Sequence, residues 1–354
     1  MIMAMTRSRA RLVVAVATVA GVIAGCGSSS SHSSSASTSS STSSSTSAAS
    51  RQASNAAPPP AVNELQAAEH PAPSDFPAAH GRSLQELGAL VKSSAQFGGA
   101  TGTFTPGVRR LAFALNAGSG AFIYAPTAVY IAKSPTSPAL GPILAPADPM
   151  GVAPQYRSEQ NAGPGGIQAI YAAHIPVPHS GTYTVLTLSR TPSGLIGAPG
   201  EVAVAASSPI PDIGQRPPAI ATDTPATSGG NVHLLTTRIP PESMHSVSFN
   251  QVLGKEPIAL LFSTPQLCIS RVCGPVTDIA VSLQNEFAGR ITFIHEEVYV
   301  ENQPSKGLRP QLKAFHLETE PWLFTINRQG IITTRLEGAF GVNEVRAALQ
   351  SALS

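Results

Sequence analysis

Apolar and polar positions alternate over short stretches in the middle of the chain, between about residues 96 and 206. Clusters of Gly and Pro, such as those at 163–166 and 178–181, separate these stretches. Short apolar runs divided by turn residues predict β-strands, here at Arg109–Leu115, Ala121–Tyr124, Thr127–Ile131, Ile167–Ile175, Thr182–Ser189 and Glu201–Ala206. We therefore expect a small antiparallel β-sandwich, immunoglobulin-like in general form. This stretch contains no cysteine, which favours a scaffold or interaction role for it.

The pattern changes after residue 232. Ile258–Phe262 is a continuous apolar run, as expected for a parallel strand buried on both faces. Apolar positions then recur at helical spacing as far as Gly289, at Val276, Ile279, Ala280, Leu283 and Phe287. Later segments predict a strand, a short helix, a hairpin and a last helix capped by Asn343, at Ile291–Ile294, Lys306–Phe315, Trp322–Leu336 and from Asn343 onward. This order of elements is typical of an α/β domain.

Two shorter patterns frame these regions. Ser83 and Glu86 have the spacing of a capping box, which predicts a short helix with Leu84 and Leu87 on its apolar side. The segment 207–230 carries five prolines, so we expect an interdomain linker there.

The first residues of the chain resemble a bacterial lipoprotein signal. Three arginines precede an apolar run at Leu12–Ile23, which is too short for a comfortable membrane span. Ile23-Ala24-Gly25-Cys26 matches a lipobox, in which Cys26 is the lipid attachment site and becomes the mature N-terminus. The residues that follow are almost entirely Ser, Thr and Ala, as in a flexible tether. We expect a protein that is lipid-anchored to the extracytoplasmic face of the cell membrane.

These patterns together predict five segments. Residues 1–25 are a signal peptide, 26–61 a disordered Ser-rich tether, and 62–206 a β-sandwich domain with a short leading helix. Residues 207–231 are a Pro-rich linker, and 232–354 are an α/β domain.

Charge and cysteine content narrow the function. Removal of residues 1–25 takes away three arginines and no acids, so the net charge falls from 22 − 20 = +2 to 19 − 20 = −1. A nearly neutral protein gives no electrostatic support for nucleic-acid binding. The two other cysteines, Cys268 and Cys273, are then a pair outside the cytoplasm, where disulfides persist.

Both cysteines lie where the predicted buried strand gives way to a helix. Backbone N–H groups and the helix dipole at such a junction favour a thiolate. We expect no cofactor and no bound metal.

The region 236–354 resembles the thioredoxin-like superfamily. The resemblance rests on Leu260-Leu-Phe-Ser-Thr-Pro265, on Cys273-Gly-Pro275, on Glu320-Pro-Trp-Leu-Phe-Thr-Ile-Asn-Arg-Gln-Gly330 and on Leu336-Glu-Gly-Ala-Phe340. It implies that Pro321 is the cis-proline that faces the redox cysteines, with Glu320, Pro321 and Trp322 aligning an extended partner peptide. It also implies thiol–disulfide exchange with protein thiols or disulfides as partners.

The sequence departs from the family pattern at the cysteines. The family motif is Cys-x-x-Cys preceded by Trp, whereas four residues separate Cys268 from Cys273 and Leu267 precedes the pair. If the family motif is aligned from Phe262, Cys268 takes the position of the attacking thiol. If it is aligned from Cys273-Gly-Pro, Cys273 takes that position instead. We prefer Cys268 in the loop as attacker and Cys273 in the first helical turn as the resolving thiol, with Arg271 as a candidate for stabilising the thiolate.

Three alternatives stay open at this point. The Cys-x4-Cys spacing also resembles peroxiredoxins of the bacterioferritin-comigratory type, although Pro265 stands where those proteins place a threonine. A copper-delivery protein like the cytochrome oxidase assembly factors would pair the cysteines with a downstream histidine, for which His295 and His316 are candidates. The third alternative is a non-enzymatic binding lipoprotein whose cysteines form a structural disulfide.

Overall fold

Nine strands between residues 93 and 204 form two sheets that face each other across a shared core. The computed structural model describes residues 62–354, so the predicted signal peptide, Cys26 and the predicted tether lie outside the described residues. The strands are β1 (Ser93–Ser94), β2 (Gln96–Gly99), β3 (Gly107–Asn116), β4 (Thr127–Ala132), β5 (Leu140–Leu144), β6 (Ala147–Pro149), β7 (Ala169–Val177), β8 (Gly181–Thr191) and β9 (Gly194–Val204). One sheet has the order β1-β9-β8-β4-β5 and the other β2-β3-β7-β6. Buried side chains of both sheets, including Phe113, Tyr171, Val129 and Val185, meet in one cluster. The immunoglobulin-like form of this region stays a prediction.

One predicted strand in this region is wrong. Ala121–Tyr124 makes a single bridge, between Asn116 and Phe122, and no ladder. The hydroxyl of Tyr171 provides the reason, because it donates to the carbonyls of Ile123 and Ala125. A side chain thus satisfies backbone groups that a neighbouring strand would otherwise have satisfied.

Two short helices precede the sheets, α1 (Val62–Glu69) and α2 (Leu84–Gly88). The predicted capping box at the start of α2 is confirmed. The Ser83 hydroxyl accepts from the Glu86 N–H at 3.2 Å, and the Glu86 carboxylate accepts from the Ser83 N–H at 2.7 Å.

The C-terminal part has a four-stranded mixed sheet with helices against it. Its strands are β10 (Ile258–Phe262), β11 (Thr292–Glu296), β12 (Trp322–Ile326) and β13 (Ile332–Glu337), and its helices are α3 (Phe249–Val252), α4 (Cys273–Glu286), α5 (Pro310–Ala314) and α6 (Val342–Ala352). The sheet order is β11-β10-β12-β13. Strands β10 and β11 are parallel and joined through α4, whereas β12 and β13 are antiparallel to their neighbours. Every residue of β10 and β12 is buried, because apolar clusters cover both faces of the sheet.

The start of α6 differs from the expectation. Gly341 is the N-cap, and Asn343 lies inside the helix. The cap is supplied by the carboxylate of Asp148 in β6, which accepts from the N–H groups of Asn343 at 3.0 Å and Glu344 at 2.8 Å. A residue almost 200 positions away in the sequence therefore satisfies the free N–H groups of this helix.

The two-sheet part and the C-terminal part are packed into one compact unit. Ala112, Met150 and Ile170 of the first part belong to the same buried cluster as Leu261 and Ile279 of the second. Between them, segment 207–231 contains no helix or strand, yet Ile210 and Thr222 within it are buried. The segment lies against folded structure instead of spanning open solvent, and the predicted domain boundaries stay predictions.

Close backbone approaches at glycines hold the two parts together. A Cβ on Gly338, which has φ of +72°, would lie 1.6 Å from the Ala100 carbonyl oxygen. A Cβ on Gly274, next to Cys273, would lie 2.8 Å from the Gln160 carbonyl oxygen. No side chain fits at either place, so glycine permits the contact. Among the described helices, none is long and apolar enough to cross a membrane.

Candidate redox site

The two cysteines lie where β10 ends and α4 begins. Cys268 is in the connecting loop and Cys273 is the first residue of α4, as the sequence predicts. Both thiols are free, and the interaction between them shifts the pKa of each. Cys268 is 8% exposed and Cys273 is completely buried, so only Cys268 reaches the surface.

The pKa of Cys268 is lowered to about 6. The main cause is the hydrogen bond from Cys273, and Ser270, whose hydroxyl lies 3.1 Å from the Cys268 sulfur, adds to it. The backbone N–H groups of Cys273 and Val272 contribute as well, while burial opposes them. At neutral pH Cys268 is therefore mostly a thiolate, which is the nucleophilic form. These groups, and not Arg271, account for the lowered pKa, since Arg271 is an exposed residue with φ of +58°.

Cys273 has the opposite behaviour. Its pKa is raised well above the usual value, first by burial and then by the adjacent Cys268. The backbone of Thr264 opposes this rise. Cys273 therefore keeps its proton and donates it in a hydrogen bond to the Cys268 thiolate.

The Glu320–Pro321 peptide bond is cis, as predicted, and it precedes β12 beside the cysteines. The Glu320 carboxyl is close enough to interact electrostatically with both thiols. Its pKa is raised by burial and then by Cys268, and its charge in turn helps to raise the pKa of Cys273. Glu320 and Pro321 are thus placed at the cysteine pair.

Trp322 has a different location from the one expected for a residue that contacts a partner. It is 1% exposed, and its ring stacks on Phe324 with centroids 5.8 Å apart. Its indole N–H donates to the Thr319 hydroxyl at 3.1 Å. Trp322 therefore supports the core beneath Pro321.

A groove borders the cysteine loop. It has a volume of about 370 Å³ and lies between Ser270 and Arg271 on one side and strands β2 and β3 on the other. Phe122 and Ile167 supply apolar surface to it. Between the two cysteines, Ile269 is 92% exposed. The groove and Ile269 therefore supply apolar surface next to the cysteine loop.

A buried polar network that the sequence did not reveal lies behind the loop. The Glu242 Oε1 atom is 2.6 Å from His245 Nε2 and 2.7 Å from His295 Nδ1. His295 Nε2 is 3.0 Å from the Ser263 carbonyl oxygen. The side chains of Glu242, His245 and His295 are 1%, 5% and 0% exposed. Only the pair Glu242 and His245, three residues apart, gives a sequence signal, because His295 reaches them through the fold.

The same three residues are the candidate metal ligands among residues 62–354, since their donor atoms lie within 4.8 Å of one another. Ligands on a tetrahedral ion with bonds of about 2.1 Å would be about 3.4 Å apart. The distances of 2.6 and 2.7 Å are those of hydrogen bonds instead. Neither cysteine belongs to this group, and His316 lies outside it, so the described part of the chain does not assemble the ligand set of a copper-delivery protein.

Comparisons of this chain with known proteins find weak similarity to solved structures. No family model and no curated protein matches the sequence. One solved structure, assigned as a thiol:disulfide interchange protein DsbE from Chlorobium tepidum, is 13% identical with a TM-score of 0.29, covering 41% of this chain and 99% of that one. Another, MTB dsbF in mixed oxidized and reduced forms, is 15% identical with a TM-score of 0.27, covering 39% and 99%.

In the C-terminal part, the strand order is β11-β10-β12-β13, α4 follows β10, and a cis peptide precedes β12; the thioredoxin-like assignment of this part stays a prediction.

Proposed function

We propose that this protein is a thiol–disulfide oxidoreductase that works through Cys268 and Cys273 on the extracytoplasmic face of the cell membrane, anchored by a lipid on Cys26. The observation that carries the proposal is the inequality of the two thiols. Cys268, with a pKa of about 6, is stabilised by a hydrogen bond from the buried, protonated Cys273 beside a cis-proline. A structural disulfide does not require such a difference between its two thiols.

The reaction follows from this arrangement. The Cys268 thiolate attacks one sulfur of a partner disulfide, forming a mixed disulfide and releasing the first partner thiolate, which takes up a proton. Cys273 then loses its proton and attacks the Cys268 sulfur. The Cys268–Cys273 disulfide forms, and the second partner thiolate leaves and is protonated. The partner disulfide gains two electrons, and the cysteine pair loses two.

The surroundings of Cys268 fit a protein partner. The cis peptide at Pro321 and the apolar groove beside Ser270 and Arg271 offer surface for the residues that flank the partner's cysteine. Glu320 lies beside the reacting thiols, where its negative charge disfavours the thiolate form of Cys273.

Trapping of mixed disulfides tests the proposed roles. In Cys273→Ser the first attack proceeds and the second does not, so a complex with a disulfide-containing substrate such as insulin should accumulate. Cys268→Ser should trap nothing. The parent protein should accelerate insulin reduction in the presence of dithiothreitol. Absence of both trapping and turnover, with normal folding, would refute the enzymatic role.

Membrane attachment has its own test. Replacement of the lipobox cysteine, Cys26→Ala, should leave the protein unprocessed or release it from the membrane fraction. A variant that is processed and retained like the parent would contradict the lipid anchor without affecting the redox proposal.

A further inference from the structure

The groove beside the cysteine loop is built mostly by the two-sheet part of the chain. Strands β2 and β3, Phe122 and the segment 161–167 contribute most of its lining. The C-terminal part contributes the loop residues 270–272 together with Pro275 and Ala339. A region that carries no cysteine therefore borders the site of the proposed chemistry.

The groove begins at the reacting sulfur. Ser270 lines it, and the Ser270 hydroxyl lies 3.1 Å from the sulfur of Cys268. Consecutive residues of a polypeptide are about 3.8 Å apart, so a partner disulfide that reaches Cys268 carries its flanking residues to the groove. The position of Cys268 thus specifies the occupant, which is the polypeptide that bears the substrate disulfide.

The lining of the groove favours apolar side chains. Phe122 is 36% exposed, and Ile167 and Val272 are partly exposed beside it. The polar side chains of Asn161 and Ser270 already have hydrogen-bond partners within the protein. An apolar side chain that enters the groove therefore loses contact with water without breaking a hydrogen bond of the lining.

The wall that the two-sheet part supplies is fastened to the helix of the resolving cysteine. The side-chain amide of Asn161 and the backbone N–H of Ser158 both donate to the carboxylate of Asp278 at 3.0 Å. Asp278 is completely buried in α4 and pairs with Arg238 at 3.0 Å. Because α4 begins at Cys273, these bonds fix the groove relative to the cysteine pair. A groove that is already formed needs little ordering when a partner binds.

The charge of the groove selects further. Among the described residues that line it, Arg271 alone carries a charge, and its side chain is exposed. A guanidinium in this position attracts a carboxylate and repels an ammonium group. The groove is therefore complementary to an apolar residue that is accompanied by an acidic one.

We infer that this groove is the docking site for the polypeptide that carries the substrate disulfide: an apolar side chain next to the substrate cysteine packs against Phe122 and Ile167, and a neighbouring acidic residue pairs with Arg271. This inference rests on the proposed function and adds the substrate class to it. It also gives the two-sheet part a role, which is to select the partner of Cys268.

Single-turnover reaction of the reduced protein with peptide disulfides tests the docking. Each peptide is blocked at both ends and carries one cysteine as a mixed disulfide with thionitrobenzoate. The peptides differ only in the residues beside that cysteine, which are Leu and Glu, Ser and Glu, or Leu and Lys. The Cys268 thiolate bonds to the peptide sulfur, the peptide–thionitrobenzoate bond breaks, and the thionitrobenzoate thiolate leaves with the electron pair.

The parent protein should discriminate among these peptides. It should react about tenfold faster with Leu and Glu than with Ser and Glu, because leucine buries apolar surface. It should react about threefold faster with Leu and Glu than with Leu and Lys, because an exposed ion pair contributes little. The small, uncharged reagent 4,4′-dithiodipyridine reports the reactivity of Cys268 without the groove.

Two variants change the groove in opposite ways. Phe122→Ser removes apolar surface, and Gly98→Leu adds a side chain that occupies the groove. A Cβ on Gly98 would lie 3.6 Å from the Ala114 carbonyl oxygen, an ordinary contact distance, so the fold accommodates the new side chain. Each variant should lose the preference for leucine and should react with 4,4′-dithiodipyridine at the rate of the parent.

Matched controls come from surfaces away from the groove. Leu140→Ser removes a side chain that is 55% exposed in β5, and Gly88→Leu adds one to α2 where the space is open. Both should discriminate among the peptides as the parent does. Arg271→Gln should lose only the preference for Glu over Lys. Arg271 is not among the causes of the low pKa of Cys268, so the rate with 4,4′-dithiodipyridine should not change.

Three results would overturn the inference. One is a parent protein that reacts with all the peptides at the same rate. Another is a Phe122→Ser variant that behaves like Leu140→Ser. The third is equal slowing of the peptides and of 4,4′-dithiodipyridine in both groove variants, which would place the effect at Cys268 itself. A parent protein that reacts with 4,4′-dithiodipyridine but with no peptide would refute the proposed oxidoreductase function, and the docking site with it.

Discussion

Cys268 and Cys273 are identical side chains that the local structure makes chemically unequal. A hydrogen bond from Cys273 is the largest influence that lowers the pKa of Cys268, and burial is the largest that raises the pKa of Cys273. The effect on Cys268 comes from the loop and the first turn of α4, whereas the effect on Cys273 also depends on its burial in the fold and on Glu320. The sequence correctly indicated this junction because an apolar strand, a short turn and a helical pattern follow one another there.

The first prediction tests the source of the low pKa. Cys273→Ala removes the main hydrogen bond to the Cys268 thiolate, so the pKa of Cys268 should rise from about 6 toward the value of about 8.5 for a free thiol. Thiolate absorbance at 240 nm against pH measures it. Ser270→Ala should produce a smaller rise, because Ser270 ranks below Cys273 among the causes. Equal pKa values in the parent and Cys273→Ala would contradict this account.

The second prediction concerns Trp322 as a core residue. Trp322→Ala leaves a cavity beside Phe324 and should reduce the free energy of unfolding by about 3–5 kcal/mol. Trp322→Phe keeps most of the stacked volume and should cost clearly less. Urea unfolding of the two variants measures the difference. A stable Trp322→Ala protein with weakened partner binding would show instead that Trp322 acts in recognition.

At the scale of elements, the start of α6 shows how a distant residue completes a helix. Asp148 in β6 accepts from two N–H groups of the first turn, a position where a carboxylate also interacts favourably with the helix dipole. Arg110 in β3 adds to this end of α6, since its guanidinium pairs with Glu344 at 2.6 Å and donates to the carbonyl of Ala339. Helix α6 is therefore positioned by two strands, β3 and β6, of the sheet β2-β3-β7-β6.

The third prediction follows from the pKa of Asp148, which burial raises from 3.8 to about 6 despite the two backbone hydrogen bonds. Because the folded state binds this proton more tightly than the unfolded state, Asp148 contributes stability below about pH 4 that is lost as the pH rises through 6. Asp148→Asn should remove this slope between pH 4 and 6 in urea unfolding. A slope that persists in the variant would assign it to another group.

At the scale of the whole molecule, the two parts of the chain are interlocked. Ala112, Met150 and Ile170 pack with residues of α4 and β10, and Gly338 allows its backbone to approach Ala100. Two parts that share buried apolar surface in this way should unfold together rather than in sequence.

The fourth prediction tests this coupling. Calorimetry should show one transition for residues 62–354, and Gly338→Ala should lower its midpoint strongly, because the new Cβ meets backbone at 1.6 Å and φ is +72°. Gly81 is a matched control with φ of +82° and open space around it, so Gly81→Ala should cost only the backbone strain of about 1 kcal/mol. Two separate transitions would support independently folding domains divided at 207–231. Equal shifts in the two variants would show that the contact with Ala100 contributes nothing.

Local patterns by themselves determined much of this protein. The apolar runs predicted five of the nine strands before residue 206 and the buried strand β10, and the Ser83–Glu86 spacing predicted a helix start. The junction of Cys268 and Cys273 and the cis peptide at Pro321 were also predicted correctly. These features depend on neighbours within a few residues or on a motif whose members lie in one short segment.

Tertiary structure alone decided the rest. The cap of α6 by Asp148 and the meeting of His295 with Glu242 join residues that are far apart in the sequence, and the burial of Trp322 depends on the place of β12 in the sheet. The close approach at Gly338 likewise depends on a partner more than 200 positions away. A one-dimensional pattern records which positions are apolar but not which distant polar group will satisfy a buried donor, because that depends on how sheets and helices pack.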